Sequence, residues 1–127
     1  MATKEKKILL YERYDGVRFI LEHSLAVYVD KFNIYSSHLK NEIKSRIETE
    51  KVDLLLTEIS KFNPDGLEIS YFARKLLPEL QIIWITVQGC HDFLYPKEEL
   101  GKVTCIEKPL DIRTIREIVL QKFEVPN

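Results

Sequence analysis

Cysteine is scarce in this sequence, with only Cys90 and Cys105 among 127 residues. The two form no CxxC pair and have no metal-ligand spacing. This argues against a disulfide scaffold and against a zinc site, and it is typical of proteins from a reducing compartment. We therefore expect a cytoplasmic protein.

Long apolar runs and a surplus of positive or negative charge are also absent. No run approaches the roughly 20 apolar residues that span a bilayer, and the charged segment 1–7 lacks the apolar core of a signal peptide. The formal net charge of −1 gives no electrostatic attraction to nucleic acid or to an anionic membrane. We therefore expect neither of them as a partner.

What the chain does contain is the composition of an ordinary globular protein, with 45% hydrophobic and 31% charged residues. Its length predicts one domain over 1–127, with a core from about 6 to 123. Phe19, Phe72 and Trp84 are expected in the interior.

Short apolar runs alternate with segments whose apolar residues recur at helical spacing. The predicted strands are 7–11, 33–36, 53–57, 81–86 and 103–106. A helix is predicted after each strand, the first over about 15–30 with Asp15 as its N-cap, a short fourth one within 92–100, and the last capped by Asp111. Strict alternation predicts an α/β fold, a flavodoxin-like three-layer (βα)5 sandwich whose five-stranded parallel sheet has the order 2-1-3-4-5.

Polar side chains follow four of the predicted strands, where open α/β sheets place their ligands. The strand residues Leu54, Leu55 and Leu56 are apolar without interruption, which is typical of a strand buried on both faces. The candidate site residues at the strand ends are Glu12 and Arg13, Glu58, Thr86, and Lys108 with Pro109.

In the order and spacing of these residues, the sequence resembles the receiver domain of two-component response regulators. The resemblance covers about 6–123 and includes the Asp-Gly-Leu-Glu that opens the third helix at Asp65. It implies a phosphoacceptor position at Glu58, a switch hydroxyl at Thr86, an aromatic-switch position at Cys105, and a Lys108-Pro109 peptide that is usually cis.

Several residues depart from the family pattern. The acceptor position holds glutamate rather than aspartate, and the family's acidic pair is Glu12-Arg13, so that a cation stands at the position that reaches the metal. The family's loop proline is Phe62. Glu58 extends the carboxylate by one C–C bond, roughly 1.5 Å, which in-line transfer tolerates poorly.

These departures predict a pseudo-receiver with no cofactor. Mg²⁺ requires several oxygen ligands, and Arg13 removes one of them, so Glu12 and Glu58 remain only weak metal candidates. We expect Arg13 to pair with Glu58, with bidentate contact as one geometry, and Lys108 to bridge Glu12 and Glu58. No catalytic residue and no enzymatic activity are expected.

The resemblance also implies protein partners: a histidine kinase, an output domain or another regulator. The predicted interface, which could also form a homodimer, is the face of the fourth helix, fifth strand and fifth helix. Its candidate residues are Phe93, Leu94, Tyr95, Arg113, Arg116 and Glu117.

Two alternatives remain open. The first is a working phosphoacceptor that binds Mg²⁺ and is phosphorylated by a histidine kinase, and a Mg²⁺ titration separates it from a pseudo-receiver. The second is a flavodoxin-like small-molecule-binding module, which the lack of a glycine-rich phosphate loop after the first strand disfavours.

Overall fold

The computed structural model describes residues 5–26, 31–86 and 97–123. Within these ranges, five strands and five helices alternate, as the apolar patterning predicts. The strands are β1 (Lys6–Tyr11), β2 (Phe32–Ser37), β3 (Leu54–Ile59), β4 (Gln81–Thr86) and β5 (Val103–Glu107). The helices are α1 (Asp15–Ala26), α2 (Lys40–Thr49), α3 (Asp65–Leu76), α4 (Lys97–Leu100) and α5 (Ile112–Phe123).

All five strands pair in parallel in the order β2-β1-β3-β4-β5, which confirms the predicted flavodoxin-like topology. The central strand β3 has all six of its residues buried. Both of its faces are covered by helices, which explains why it reads as a continuous apolar run. Glu58 pairs in register with Ile85 of β4, and Thr86 pairs with Glu107 of β5.

Alternate strand residues supply two apolar layers, one on each face of the sheet. Leu55 and Trp84 pack on the side of α2 and α3, whereas Leu56 and Ile83 pack on the side of α1 and α5. The buried Trp84 indole donates a hydrogen bond from Nε1 to Ser70 Oγ of α3 at 3.0 Å. The sheet is therefore held rigidly between two helical layers, and its carboxyl edge is where side chains from different strands meet.

The join between β3 and α3 is very close. A Cβ atom added at Gly66, in the first turn of α3, would lie 1.8 Å from the backbone oxygen of Glu58. A residue with a side chain cannot occupy this position without moving the strand or the helix. Gly66 thereby lets α3 pack directly on the end of β3, beside the acceptor position.

Some predicted details are wrong. The third strand runs two residues beyond its predicted end, so Glu58 lies within β3 rather than after it. Asp15 is the first residue of α1 and not its N-cap: its carboxylate pairs with Arg18 at 2.5 Å, and the Tyr14 carbonyl accepts the Arg18 N–H. Phe19 is 60% exposed, because it lies on the outer side of α1.

Other predictions agree with the structure. Trp84 is fully buried, and Phe72 packs against the core. Asp111 caps α5, since its Oδ1 accepts the Arg113 N–H at 2.9 Å. The predicted continuation of α1 over 27–30 and the predicted start of α4 over 92–96 lie outside the described residues. Within the described ranges, no helix has the length and apolar character needed to cross a membrane.

Candidate functional site

Four charged side chains converge at the carboxyl edge of the sheet. Glu12 and Arg13 follow β1 directly, Glu58 is the penultimate residue of β3, and Lys108 follows β5. Because β1 and β5 lie on opposite sides of the β3–β4 pair, these residues reach over Glu58 from two directions. The sequence-predicted group of two carboxylates and two cations is thus brought together.

The shortest contact in this group joins Arg13 to Glu58. Arg13 Nε donates to Glu58 Oε1 at 2.9 Å, and the Glu58 side chain is only 4% exposed. Partial burial of the guanidinium lowers the pKa of Arg13, but the hydrogen bond and the charge of Glu58, together with smaller contributions from Tyr14 and Tyr11, raise it, and the net pKa lies above its ordinary value. The pair is not bidentate, because Arg13 Nη2 is directed to the Tyr14 hydroxyl at 3.3 Å.

Lys108 lies between the two carboxylates. Its Nζ is 3.4 Å from Glu12 Oε1 and 3.7 Å from Glu58 Oε2. This is the bridging position that the sequence predicts for Lys108. Both distances exceed that of a good hydrogen bond, so the lysine is shared electrostatically rather than bound tightly to either carboxylate.

Glu12 is completely buried, and its two oxygens have different surroundings. Oε2 accepts the Tyr14 N–H at 3.1 Å, whereas no hydrogen-bond donor reaches Oε1 within the part of the chain that the structure describes. Burial raises the pKa of Glu12 to about 7; the nearby Glu58 adds to the rise, and the Tyr14 N–H and Lys108 oppose it. Glu12 therefore titrates near neutral pH.

Thr86 and Lys108 are linked through the backbone at the end of β4. The Lys108 N–H donates to the Thr86 carbonyl at 2.7 Å, and the Lys108-Pro109 peptide is cis, as the resemblance implies. The Thr86 side chain is fully buried, and its Oγ1 has no hydrogen-bond partner among the described residues. Cys105 is half-buried, opposite Trp84 in the sheet register, and packs against that core layer.

The predicted interface is only partly covered by the structure. Phe93, Leu94 and Tyr95 lie outside the described residues. Arg113 and Glu117 are exposed on α5. Arg116 is half-buried and donates from Nε to the Ser24 carbonyl of α1 at 2.5 Å, so its guanidinium belongs to the α1–α5 contact rather than to the predicted face.

Tyr14 is a site residue that the sequence reasoning missed. Its ring centroid is 5.0 Å from Arg13 Cζ and 5.4 Å from Lys108 Nζ, so one aromatic ring lies near both cations. An aromatic residue directly after the Glu12-Arg13 pair was the available signal.

The sequence reasoning also missed a hydrogen-bonded group that joins β1 to the β3–α3 loop: Tyr11, Asn63 and Asp65. The Tyr11 hydroxyl donates to Asp65 Oδ2 and accepts from Asn63 Nδ2, both at 3.1 Å. Burial raises the pKa of Tyr11 to about 12; Asn63 opposes the rise, and Asp65 contributes to it. These contacts tie the loop after the acceptor position to β1.

The chemistry available at this edge is charge neutralisation. No group of three or more His, Cys, Asp or Glu side chains within the described ranges is arranged to hold a metal ion. The Glu58 carboxylate already accepts a hydrogen bond from Arg13 at Oε1. Arg13 thus lies beside the acceptor position, where the resemblance implies a second acidic residue.

The sequence matches no protein-family model. The chain is 27% identical to the sporulation initiation phosphotransferase F of Bacillus subtilis over 116 residues, which make up 90% of each protein. It is 24% identical to the response regulator protein PilR of Pseudomonas aeruginosa over 122 residues, which cover 96% of this chain but 27% of that protein.

Solved structures share the same architecture. The chemotaxis response regulator CheY4 of Vibrio cholerae superposes with a TM-score of 0.81 at 13% identity, over 94% of this chain and 100% of that one. The fold is therefore that of response-regulator receiver proteins. The sequence relatives support the same assignment over nearly the whole chain.

Proposed function

We propose that this receiver domain of a two-component system acts by protein–protein contact and independently of phosphorylation, because an internal ion pair occupies its acceptor position. The observation that carries the proposal is the 2.9 Å hydrogen bond from Arg13 Nε to Glu58 Oε1, made to a carboxylate that is almost entirely buried. The relatives and the shared fold support the receiver assignment.

Phosphoryl transfer to a carboxylate requires an oxygen that is free to approach the donor in line. At Glu58, Oε1 is engaged by Arg13 and Oε2 faces the Lys108 ammonium at 3.7 Å. An incoming phosphoryl group would have to break a charge-assisted hydrogen bond inside a poorly solvated site. Efficient phosphorylation at Glu58 is therefore not expected.

The same geometry disfavours a bound Mg²⁺ ion. The ion prefers several oxygen ligands in near-octahedral order, whereas Arg13 brings a positive charge to the place where the family has a second acid. Burial also keeps Glu12 partly protonated near neutral pH, through a pKa of about 7. We propose that the domain uses no metal and no other cofactor.

The ion pair is expected to hold the site in one electrostatic state. One glutamate carboxylate carries less charge than a phosphoryl group, which adds about −1.5 to −2, so the pair imitates a phosphorylated site only in part.

We also propose that the domain is not an enzyme, since the two carboxylates at this edge face two cations. The name of the Bacillus subtilis relative describes a phosphotransferase, which keeps the working phosphoacceptor as the alternative to be tested. Neither that alternative nor a small-molecule-binding module is favoured by the fold and the relatives.

The decisive experiment adds acetyl phosphate or beryllofluoride with Mg²⁺ to the wild-type domain and to the double variant Arg13→Asp, Glu58→Asp. We expect no acyl-phosphate mass and no saturable NMR shifts around Glu58 in the wild type. The double variant restores a second acid and the shorter acceptor, so it should show Mg²⁺-dependent shifts. An acyl phosphate on wild-type Glu58 would establish the phosphoacceptor alternative instead.

The partners we propose are proteins: a histidine kinase, an output domain or another regulator, in the cytoplasm. The exposed Arg113 and Glu117 of α5 support a contact face on this side of the molecule, with a homodimer as one arrangement. Alternating charges beside apolar groups suit a protein interface. No contact with nucleic acid or membrane is proposed for this domain.

A further inference from the structure

The Tyr14 ring lies beside the two cations of the charged group, Arg13 and Lys108. Tyr14 follows Arg13 at the end of β1 and precedes α1, and its side chain is half-exposed. Its ring centroid is 5.0 Å from the Arg13 guanidinium carbon and 5.4 Å from the Lys108 ammonium nitrogen. Both separations are within the roughly 6 Å range of a cation–π contact.

The backbone holds Tyr14 in place from both sides. Its N–H donates to the buried Glu12 carboxylate at 3.1 Å, and its carbonyl accepts the Arg18 N–H at 3.0 Å in the first turn of α1. Its hydroxyl accepts a further hydrogen bond from Arg13 Nη2 at 3.3 Å. The main chain at Tyr14 is therefore fixed by the fold, and the hydroxyl adds a contact between the ring and Arg13.

The cations, in contrast, need a second support. Lys108 is 3.4 Å from the nearer carboxylate oxygen, longer than a good hydrogen bond, and Arg13 is attached to Glu58 through Nε alone. Long side chains with few fixed contacts retain much rotamer freedom. The Tyr14 ring lies within cation–π distance of each of them.

We infer that Tyr14 is a positioning residue of this site: its ring, lying over both Arg13 and Lys108, holds the two cations against Glu58 and Glu12. This inference rests on the ion pair of the proposed function and adds the residue that keeps that pair closed. Tyr14 would thus limit access of solvent and of phosphodonors to Glu58.

The first test uses NMR on the unmodified domain. Protons that lie over an aromatic ring are shifted upfield, so the Lys108 Hε and Arg13 Hδ signals should lie upfield of their values in unfolded peptides. The same signals should move back in Tyr14→Leu, which removes the ring and keeps an apolar side chain. Wild-type signals without an upfield shift would overturn the inference, whether or not any variant folds.

The second test measures hydrogen exchange at Arg13 Nε–H, a readout that a loss of general stability does not reproduce selectively. In Tyr14→Leu, we expect roughly fivefold faster exchange, as the loss of an exposed cation–π contact predicts. Tyr14→Phe keeps the ring and loses only the hydroxyl that accepts Arg13 Nη2, so its exchange should be slower than that of Tyr14→Leu. Tyr71→Leu is the matched control, since Tyr71 is also exposed and hydrogen-bonds to Glu99 away from the site.

The outcomes separate this inference from the proposed function. If Arg13 Nε–H is unprotected in the wild type, the ion pair itself is wrong. If it is protected and Tyr14→Leu leaves it unchanged, the ion pair stands and the role of Tyr14 is overturned. Equal acceleration in Tyr14→Leu and Tyr71→Leu would also overturn it, because the effect would then be general.

Discussion

Glu12 and Glu58 are neighbouring carboxylates that are both buried, but they have different hydrogen-bond partners. Glu58 accepts a hydrogen bond from Arg13. Glu12 has one oxygen that no hydrogen-bond donor of the described residues reaches. Burial without a full set of donors favours the neutral acid, and this raises the pKa of Glu12 to about 7. The departure from the family at Arg13 therefore affects both carboxylates. Arg13 hydrogen-bonds to the Glu58 carboxylate, whereas the Glu12 carboxylate lies near Lys108, which also lies near Glu58.

The raised pKa of Glu12 predicts how the free energy of unfolding changes with pH. Glu12 has an ordinary pKa of 4.5 and a folded-state pKa of about 7, so the folded state binds more protons between these values. The free energy of unfolding should therefore fall as the pH rises from about 4.5 to 7, and then level off. In Glu12→Gln this fall should disappear, which makes the variant more stable at pH 8 by about 3 kcal/mol and similar to the wild type at pH 4.

Urea unfolding at pH 4, 6 and 8 measures this difference. Glu48→Gln on the exposed side of α2 is the matched control, and it should follow the wild type at every pH. A Glu12→Gln variant that is less stable than the wild type at pH 8 would contradict the predicted cost of burying the charge.

The join of β3 to α3 is the element on which the geometry of the acceptor position depends. α3 begins within seven residues of Glu58 and packs so closely on the strand that a Cβ at Gly66 would meet the Glu58 backbone oxygen at 1.8 Å. The loop between them is attached to β1 through the contacts of Asn63 and Asp65 with Tyr11. The position of the carboxylate is thus set by main-chain packing as well as by its ion pair.

Gly66→Ala should lower the free energy of unfolding by about 2 kcal/mol or more, because the clash is with backbone atoms that cannot rotate away. Gly16→Ala in α1 is the matched control: a Cβ there would meet no atom within 4 Å. That change should be neutral or stabilising by up to about 1 kcal/mol, since alanine favours helices. Thermal and urea unfolding of both variants measure the difference, and equal effects would show that the close contact is relieved elsewhere.

At the scale of the whole molecule, two faces of α5 make different contacts. Arg116 is turned toward α1 and ties that helix to the domain through the Ser24 carbonyl. Arg113 and Glu117, one helical turn apart, remain exposed and available to a partner. A two-fold symmetric interface sets residue i of one copy against residue j of the other. This arrangement would pair Arg113 of each protomer with Glu117 of its partner.

The homodimer is therefore testable by charge exchange. We expect the mass measured by sedimentation to increase with protein concentration in the wild type, and Arg113→Glu to suppress the increase by placing acids opposite each other. The double exchange Arg113→Glu, Glu117→Arg should restore it. A wild-type domain that stays monomeric at every concentration would contradict the dimer and leave the other protein partners in place.

Much of the fold could be predicted from local patterning. Strand and helix periodicities are properties of neighbouring residues, and their strict alternation leaves few topologies once crossovers are right-handed. The parallel order β2-β1-β3-β4-β5 and the burial of Trp84 agree with those expectations. The end of β3 and the exposure of Phe19 do not, because strand ends and helix faces respond to packing partners elsewhere in the chain.

The site, like the fold, could be predicted only in part from the sequence. Strand ends in a parallel sheet share one edge, so the sequence was sufficient to bring Glu12, Arg13, Glu58 and Lys108 together. Which nitrogen of Arg13 faces Glu58, and which cations the Tyr14 ring covers, depended on the folded chain. These details are rotamer choices made against residues distant in sequence, and no local pattern encodes them. The charges were therefore predictable from the strand ends, whereas their pairing required long-range packing.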